Sequence, residues 1–248
     1  MEKNGKIDQT NYFETKFLTE KEPWNYSSRA VELLRYEFII NLLNSLSSDH
    51  SKILEVGCAL GQFTEELYGI GKDIYSFDIS ISAVKKTRDR CSSIEDARKI
   101  ESQKKSQYHF CLTSATDLPF QHNVFDIVLL CDGLIGWEIT KEQRAAVLEQ
   151  AYNCITDEGY VILTDYLHPK KFEMHLNEIR ASSLKIKNII YMNDRLAYRF
   201  ETWFKAFRNA GVIKKLIANK KFVRFLMRIS SISGKSGSKH LCVVAVKK

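Results

Sequence analysis

The sequence predicts a doubly wound α/β domain, in which a mostly parallel sheet carries helices on both faces. Short apolar runs alternate with amphipathic stretches of helix length, and these runs lie at residues 53–56, 74–77, 108–112, 125–131 and 160–164. This alternation is typical of parallel sheets built from strand–helix–strand units. The run at 125–131 is apolar at nearly every position, as expected for a strand buried on both faces.

Helical periodicity and turn residues define the remaining elements. A last strand is predicted at 241–246, and residues 166–199 are less regular, with helical patches and an apolar stretch at 189–191. The sheet is expected to have seven strands. Ser27 or Ser28 would cap the first long helix, Ser80 or Ser82 would cap the next, and Gly211 would end the last. The predicted helices cover residues 31–46, 84–90, 140–155 and 200–210, and residues 157–159 are predicted to form a turn before the fifth strand.

Charge is distributed unevenly along the 248 residues. The net charge is +7, yet residues 202–248 hold twelve Lys or Arg and no acidic residue. No stretch approaches the ~20 apolar residues of a membrane span, and the N-terminus lacks an apolar signal core, so a cytoplasmic protein is expected. The six cysteines form no Cys-x-x-Cys pair and are expected to be reduced thiols.

A glycine turn follows the first predicted strand. The turn contains Gly57 and Gly61 and leads into an amphipathic helix. Glycine lets backbone approach a ligand closely, and a helix start offers free N–H groups to an anion. Asp78 ends the second predicted strand about 20 residues beyond Gly57, a spacing at which an acid reaches ribose hydroxyls. A ligand that carries a ribose is therefore predicted.

The pattern Glu55-x-Gly57-x-x-x-Gly61, joined to Asp78, resembles the first motif of class I S-adenosylmethionine-dependent methyltransferases. The resemblance implies a Rossmann-like fold and S-adenosyl-L-methionine as the cofactor, with the loop around the methionine moiety and Asp78 on the ribose. Ala59 stands where many relatives have a middle glycine. The cofactor-binding residues that the resemblance implies are Glu55, Gly57, Cys58, Ala59, Gly61, Asp78, Ile79, Ser114, Ala115, Thr116 and Cys131.

Residues 115–120 and 125–128 look like the third and fourth motifs of the same family. Many relatives carry an Asp that accepts a hydrogen bond from the adenine amine, and here Ser114 stands at that position. A hydroxyl contributes less than a carboxylate to such a bond, roughly 1 kcal/mol against up to ~3.

The N-terminal residues 22–26 and the pattern Glu32-x-x-Arg35-Tyr36 are similar to the lead-in of nodulation-type N-methyltransferases, which act on an amino sugar. The resemblance implies that residues 1–50 form a helical lid on a methyltransferase domain at 51–248, and that residues 166–199 form a substrate-binding insertion. The implied acceptor-site residues are Trp24, Tyr26, Arg35 and Tyr36. Trp137, which follows the fourth strand, could line the acceptor site or be a core residue. Trp24 and Tyr36 could instead be core aromatics.

Ligands of open α/β sheets lie beyond the carboxyl ends of the strands, so catalytic candidates should follow the fourth and fifth strands. Asp132 directly follows the fourth strand and would bind substrate or relay a proton, or cap the next segment. His168 follows the fifth strand and would act as a general base, or be an exposed loop residue. The remaining histidines show no metal-ligand spacing; they are His50, His109, His122, His175 and His240.

The sequence favours a small-molecule methyltransferase that acts on an N or O acceptor, such as an amino sugar or a biosynthetic intermediate. The basic C-terminus leaves an RNA methyltransferase as an alternative, although no RNA-binding module is present and nucleic acid is not the expected partner. A cofactor-binding subunit without catalysis is a further alternative. Residues 212–229 could contact a membrane surface or a carrier-linked substrate, or form a strand and a solvated helix face. A monomer or a homodimer is expected.

Overall fold

A seven-stranded sheet forms the centre of the computed structural model, which describes residues 8–67, 70–97, 106–132, 139–207 and 210–248. The strand order is β3-β2-β1-β4-β5-β7-β6. Strands β1 to β5 are parallel to one another, and β7 runs antiparallel to both β5 and β6. The strands are β1 Lys52–Val56, β2 Asp73–Asp78, β3 Gln107–Leu112, β4 Phe125–Cys131, β5 Ile155–Tyr166, β6 Leu184–Tyr191 and β7 His240–Lys247.

The doubly wound, seven-stranded fold predicted from the sequence is confirmed. The chain leaves β1 towards β2 and β3 on one side and returns to place β4 on the other side of β1. The order of the strands therefore reverses between β1 and β4, and the carboxyl ends of these strands form the crevice where open α/β sheets bind ligands.

Helices cover both faces of the sheet. Apolar residues of α2 and α3 pack with Ile53 and Ile127 on one face, whereas α5 and α6 pack with Leu54 and Val128 on the other. Successive strand residues point to opposite faces, which explains why Ile53 and Leu54 in β1 and residues 127–130 in β4 are all apolar. The helices are α1 Gln9–Thr19, α2 Ala30–Leu46, α3 Gln62–Glu66, α4 Ile81–Ala97, α5 Lys141–Cys154, α6 Phe172–Ala181, α7 Arg195–Trp203, α8 Gly211–Ile217 and α9 Lys220–Ser231.

The predicted helix caps have mixed outcomes. Ser80 is confirmed as a cap of α4, since its Oγ accepts a hydrogen bond from the backbone N–H of Ala83 at 3.1 Å. Neither Ser27 nor Ser28 caps α2. The Ser27 hydroxyl donates instead to Glu22 at 2.8 Å, and extended backbone at Arg29 separates a short 3₁₀ turn from the helix.

The C-terminal part departs most from the sequence-based expectation. The predicted helix at 200–210 ends earlier, at Trp203, and Gly211 begins α8 instead of ending a helix. Residues 212–229, for which a strand with a helix was one expectation, fall within α8 and α9 and their connection. The predicted turn at 157–159 lies inside β5, where the pairing with β4 jumps from Ile155 to Tyr160.

No helix in the described part of the chain is long and apolar enough to cross a membrane.

Candidate functional site

A cavity of about 510 Å³ opens at the carboxyl ends of β1, β2 and β4. This is the crevice at which the strand order reverses. Residues of α1 and of the segment between α1 and α2 close the cavity from above, among them Phe13, Phe17 and Trp24. The sequence-predicted residues that line it are Trp24, Tyr26, Arg35, Tyr36, Glu55, Gly57, Cys58, Ala59, Asp78, Ile79, Ser114, Ala115, Thr116, Cys131 and Asp132.

The glycine turn after β1 runs along the cavity wall in left-handed backbone. Gly57 has φ +80°, Ala59 φ +48° and Gly61 φ +76°. The turn is tied to β2, because Gly57 N–H and Cys58 N–H both donate to the carbonyl of Phe77, at 3.0 and 2.9 Å. An alanine in left-handed conformation is strained by ~1 kcal/mol or more. Ala59 therefore adopts a left-handed backbone conformation that a glycine would adopt without strain, and this lowers the stability of the fold.

Gly61 differs from the other predicted cofactor residues, because it does not line the cavity. A Cβ built on Gly61 would lie 2.8 Å from Cγ2 of Thr87. The glycine therefore lets α3 begin against α4, and its role in the motif is helix packing.

Glu55 is a buried carboxylate at the base of the cavity. Its Oε2 accepts hydrogen bonds from the hydroxyls of Thr64 at 2.8 Å and Ser76 at 2.6 Å. Burial raises the pKa of Glu55 to about 7, although these two hydroxyls oppose the shift. The side chain can therefore hold or release a proton near neutral pH, according to the charge placed beside it.

Asp78 joins the end of β2 to the glycine turn. One carboxylate oxygen accepts from Ala59 N–H at 2.9 Å and the other from Ser80 N–H at 3.0 Å. Burial raises the pKa of Asp78 to about 6, and its backbone donors oppose that rise. Because a carboxylate has about four lone-pair sites, Asp78 keeps acceptor capacity for hydroxyl groups of a ligand in the cavity.

The hydroxyl of Ser114 lies 2.8 Å from that of Thr116, so the two side chains form one polar pair on the cavity wall. Ser114 Oγ also lies within 3.3 Å of the backbone N–H of Thr116. A ligand amine can thus meet a hydroxyl at this wall.

Asp132 reaches the cavity from the end of β4 in left-handed backbone, with φ +54°. Its backbone N–H donates to the carbonyl of Thr164 at 2.6 Å, and its Oδ1 accepts from Tyr166 N–H at 3.0 Å. Its Oδ2 lies 2.7 Å from Nη1 of the buried Arg35. His240 Nε2, from the start of β7, lies 3.5 Å from Oδ1. The carboxylate is therefore held from three sides.

The sequence-based analysis missed His240, which links Asp132 to a second buried carboxylate. Its Nδ1 lies 2.5 Å from Oδ2 of Asp194. The Tyr198 hydroxyl, 3.5 Å from Nδ1, donates to Glu32 at 2.7 Å. Spacing along the chain gives no signal for this cluster, because its members come from α2, from the loop after β4, from the start of α7 and from β7.

The pKa values within this cluster are strongly shifted. Burial opposes the charge on His240, but the carboxylates of Asp194 and Asp132 outweigh it and raise the pKa of His240 to about 9. Burial likewise disfavours the Asp132 carboxylate, but Arg35 and His240 hold its pKa well below the usual range. At neutral pH, Asp132 is a fixed anion and a poor proton acceptor.

Aromatic rings form the roof of the cavity. Trp24 stacks on Tyr26 with ring centroids 5.7 Å apart, and Tyr36 packs on Phe63 at 4.9 Å. The roof is fastened to the core through Glu14 of α1, which accepts hydrogen bonds from the hydroxyls of Ser80 and Ser82 at 2.5 Å each.

His168 and Trp137 are not brought to the cavity in the described structure. His168 is exposed, and its Nδ1 accepts from the N–H of Lys170 at 3.2 Å, so that it caps a short turn. Trp137 lies outside the described residues. Within the described ranges, no group of three or more His, Cys, Asp or Glu side chains is arranged to hold a metal ion.

A comparison with protein-family models identifies the family of the chain. A family model described as "Methyltransferase domain" matches residues 47–215, more than half of the chain. The chain belongs to this family. A comparison with curated proteins finds no matching sequence.

Solved structures share the fold at low sequence identity. The N-methyltransferase NodS from Bradyrhizobium japonicum WM9, in complex with S-adenosyl-L-homocysteine, is 14% identical, with 97% of this chain and 99% of that chain covered and a TM-score of 0.63. The geranyl diphosphate C-methyltransferase from Streptomyces coelicolor A3(2) is 11% identical, with 98% and 86% covered and a TM-score of 0.61. The [4+2]-cyclase SpnF is 15% identical, with 85% and 80% covered and a TM-score of 0.59.

The residues of the cavity fit S-adenosylmethionine, the cofactor of this methyltransferase. A Cβ built on Gly57 would meet nothing within 4 Å, so a ligand can approach the backbone of the turn. Asp78 offers acceptors for ribose hydroxyls, and Glu55 lies at the base of the cavity, where an ammonium group would favour its ionised form. Ser114 and Thr116 offer polar partners for an adenine edge.

Proposed function

We propose that this methyltransferase transfers the methyl group of S-adenosylmethionine to a nitrogen acceptor of a small molecule, such as an amino sugar or another biosynthetic amine. The observation that carries the proposal is Asp132. Its carboxylate lines the cavity and stays ionised, because Arg35 and His240 hold its pKa well below the usual range. A fixed anion accepts a hydrogen bond from the N–H of a neutral amine without taking its proton, and it stabilises the positive charge that develops on the nitrogen during methyl transfer.

A hydroxyl acceptor is less favoured by the same chemistry. An alcohol must lose its proton to a base as it is methylated, whereas an amine only has to arrive unprotonated. Asp132 is too acidic to serve as that base. His168, the other candidate base, does not line the cavity. Of the described cavity residues, Glu55 has a pKa of about 7, but it is assigned to the cofactor end.

When bound, the cofactor supplies a methyl group on a positively charged sulfur, which is transferred by in-line displacement. The protein contributes alignment and exclusion of water, and good alignment alone accounts for about 7–11 kcal/mol in the best cases. We propose that α1 and the aromatic residues Trp24, Tyr26 and Tyr36 act as the lid that provides both. A role of residues 166–199 in substrate binding remains a prediction.

The experiment is a product assay by mass spectrometry, with a panel of amino sugars and aliphatic amines beside alcohols of matched shape. We expect methylated amines from the wild type. Asp132→Asn should lower kcat/KM for the amine by at least about tenfold while cofactor affinity changes little. Asp157→Asn is the control, because Asp157 is exposed and lies near the start of β5, away from the carboxyl ends of the strands. Turnover of the alcohols alone, or an Asp132→Asn variant as active as wild type, would contradict the proposal.

A further inference from the structure

Helix α9 carries apolar side chains on two separate faces. Its inner face packs on α2 and α7 through the buried residues Val223 and Leu226. Its outer face exposes Phe225 (58%), Ile229 (40%) and Ile232 (85%), the last directly after the helix. Residues four and three positions apart lie on one side of a helix, so these three form a single stripe. A surface helix needs only one apolar face to pack on its own core.

Cations flank this stripe. Lys221 and Arg228 lie on the same side of α9, and α8 adds the exposed Lys214 and Lys215. None of these four has an ion-pair partner among the described residues. By contrast, Lys220 and Arg224, on the flank that faces α2, both pair with Glu37, at 2.6 and 2.8 Å. We call Lys221, Phe225, Arg228, Ile229 and Ile232 the α9 outer face.

The α9 outer face is part of a larger concentration of exposed apolar groups. Of the eleven large apolar side chains that are exposed in the described structure, five lie between residues 203 and 232. Residues 202–248 contain no acidic side chain. Exposed apolar groups set among cations, without acids, are complementary to a partner that offers negative charge over an apolar interior.

We propose that the α9 outer face docks on an anionic phospholipid bilayer. Lipid phosphates would meet the Lys and Arg side chains, while Phe225, Ile229 and Ile232 enter the boundary between headgroups and acyl chains. A nucleic acid would satisfy the cations but leave the aliphatic stripe in water. A bound peptide would need a groove, and the α9 outer face forms no part of the cavity described above.

The test is co-sedimentation of the full chain with vesicles of phosphatidylcholine alone and with vesicles in which about one-third of the lipid is phosphatidylglycerol. We expect binding to the anionic vesicles that is at least about tenfold stronger and that is weakened by ~0.5 M KCl. Lys221→Gln with Arg228→Gln should lower the partition coefficient about 30-fold. Phe225→Ser, Ile229→Ser and Ile232→Ser together should lower it by at least about tenfold.

Matched controls separate docking from general surface effects. Lys85→Gln with Arg88→Gln changes two exposed cations of α4, and Leu112→Ser removes an exposed apolar side chain of β3, 53% accessible. Both controls should bind vesicles as the wild type does. Circular dichroism and thermal melting verify the fold of every variant.

Three results would overturn the proposal. The first is a partition coefficient that is the same for the two kinds of vesicle, or no binding to either kind. The second is salt-sensitive binding to a single-stranded RNA oligonucleotide under conditions where vesicles do not bind. The third is a concentration-dependent dimer in analytical ultracentrifugation that Ile232→Ser abolishes, since the stripe would then be an interface between two copies of the chain.

Discussion

Replacing His240 by Gln removes the positive charge between two carboxylates. In the wild type the pKa of His240 rises from its ordinary value of 6.5 to about 9. One pKa unit corresponds to about 1.4 kcal/mol, so protonation of the buried imidazole contributes about 3 kcal/mol to the free energy of unfolding. A raised pKa means that this contribution is fully present below pH 6.5 and is lost as the pH rises through about 9.

The expected result is a pH-dependent difference between the two proteins. His240→Gln should unfold about 3 kcal/mol more easily than wild type near pH 6, and the difference should shrink below about 1 kcal/mol by pH 10. Urea unfolding at a series of pH values, with a reductant to protect the free cysteines, measures it. His175→Gln, at another buried histidine that pairs with Asp165 at 3.2 Å, is the control. A His240→Gln difference that is the same at every pH would refute the reasoning.

Three further predictions concern the cofactor end of the site. Gly61→Ala should lower the free energy of unfolding in urea by about 2–4 kcal/mol, because residue 61 has φ +76° and its Cβ would lie 2.8 Å from Thr87 Cγ2. An unchanged free energy of unfolding would show that α3 and α4 can move apart to make room for the Cβ. Ala59→Gly should stabilise by ~1 kcal/mol in the same assay, since it relieves a residue at φ +48°, and a loss of stability would contradict this. As the pH rises from 5 to 8, the free energy of unfolding of Glu55→Gln should increase relative to that of wild type by up to about 3 kcal/mol. The cause is the raised pKa of Glu55, about 7, because the native wild type loses stability as that carboxyl ionises. Free energies of unfolding that change with pH in the same way in both proteins would contradict this prediction.

The features that were predicted correctly from the sequence are the local ones. A strand, a glycine turn and an acid at the end of the next strand are written in consecutive residues, and for this reason Gly57, Ala59 and Asp78 were found at one cavity. The apolar pattern of β4 likewise follows from its burial on both faces.

The features that were missed depend on long-range contacts or on competition between local partners. Asp132 and His240 meet only because β7 returns to the sheet beside β5, and sequence spacing cannot show that pairing. Serine is a residue type that commonly caps helices, but the Ser27 hydroxyl donates to Glu22 instead. Gly211 is compatible with either end of a helix, and the position of α8 decides between them.

Calorimetric titration with S-adenosyl-L-homocysteine is the most direct test of the cofactor site. The wild type should bind with a micromolar dissociation constant, equivalent to about −8 kcal/mol. Asp78→Asn should bind at least about tenfold more weakly, while Asp73→Asn, at the opposite end of β2, should bind as the wild type does. A folded wild type that binds neither S-adenosylhomocysteine nor S-adenosylmethionine, or an Asp78→Asn variant with unchanged affinity, would contradict the account.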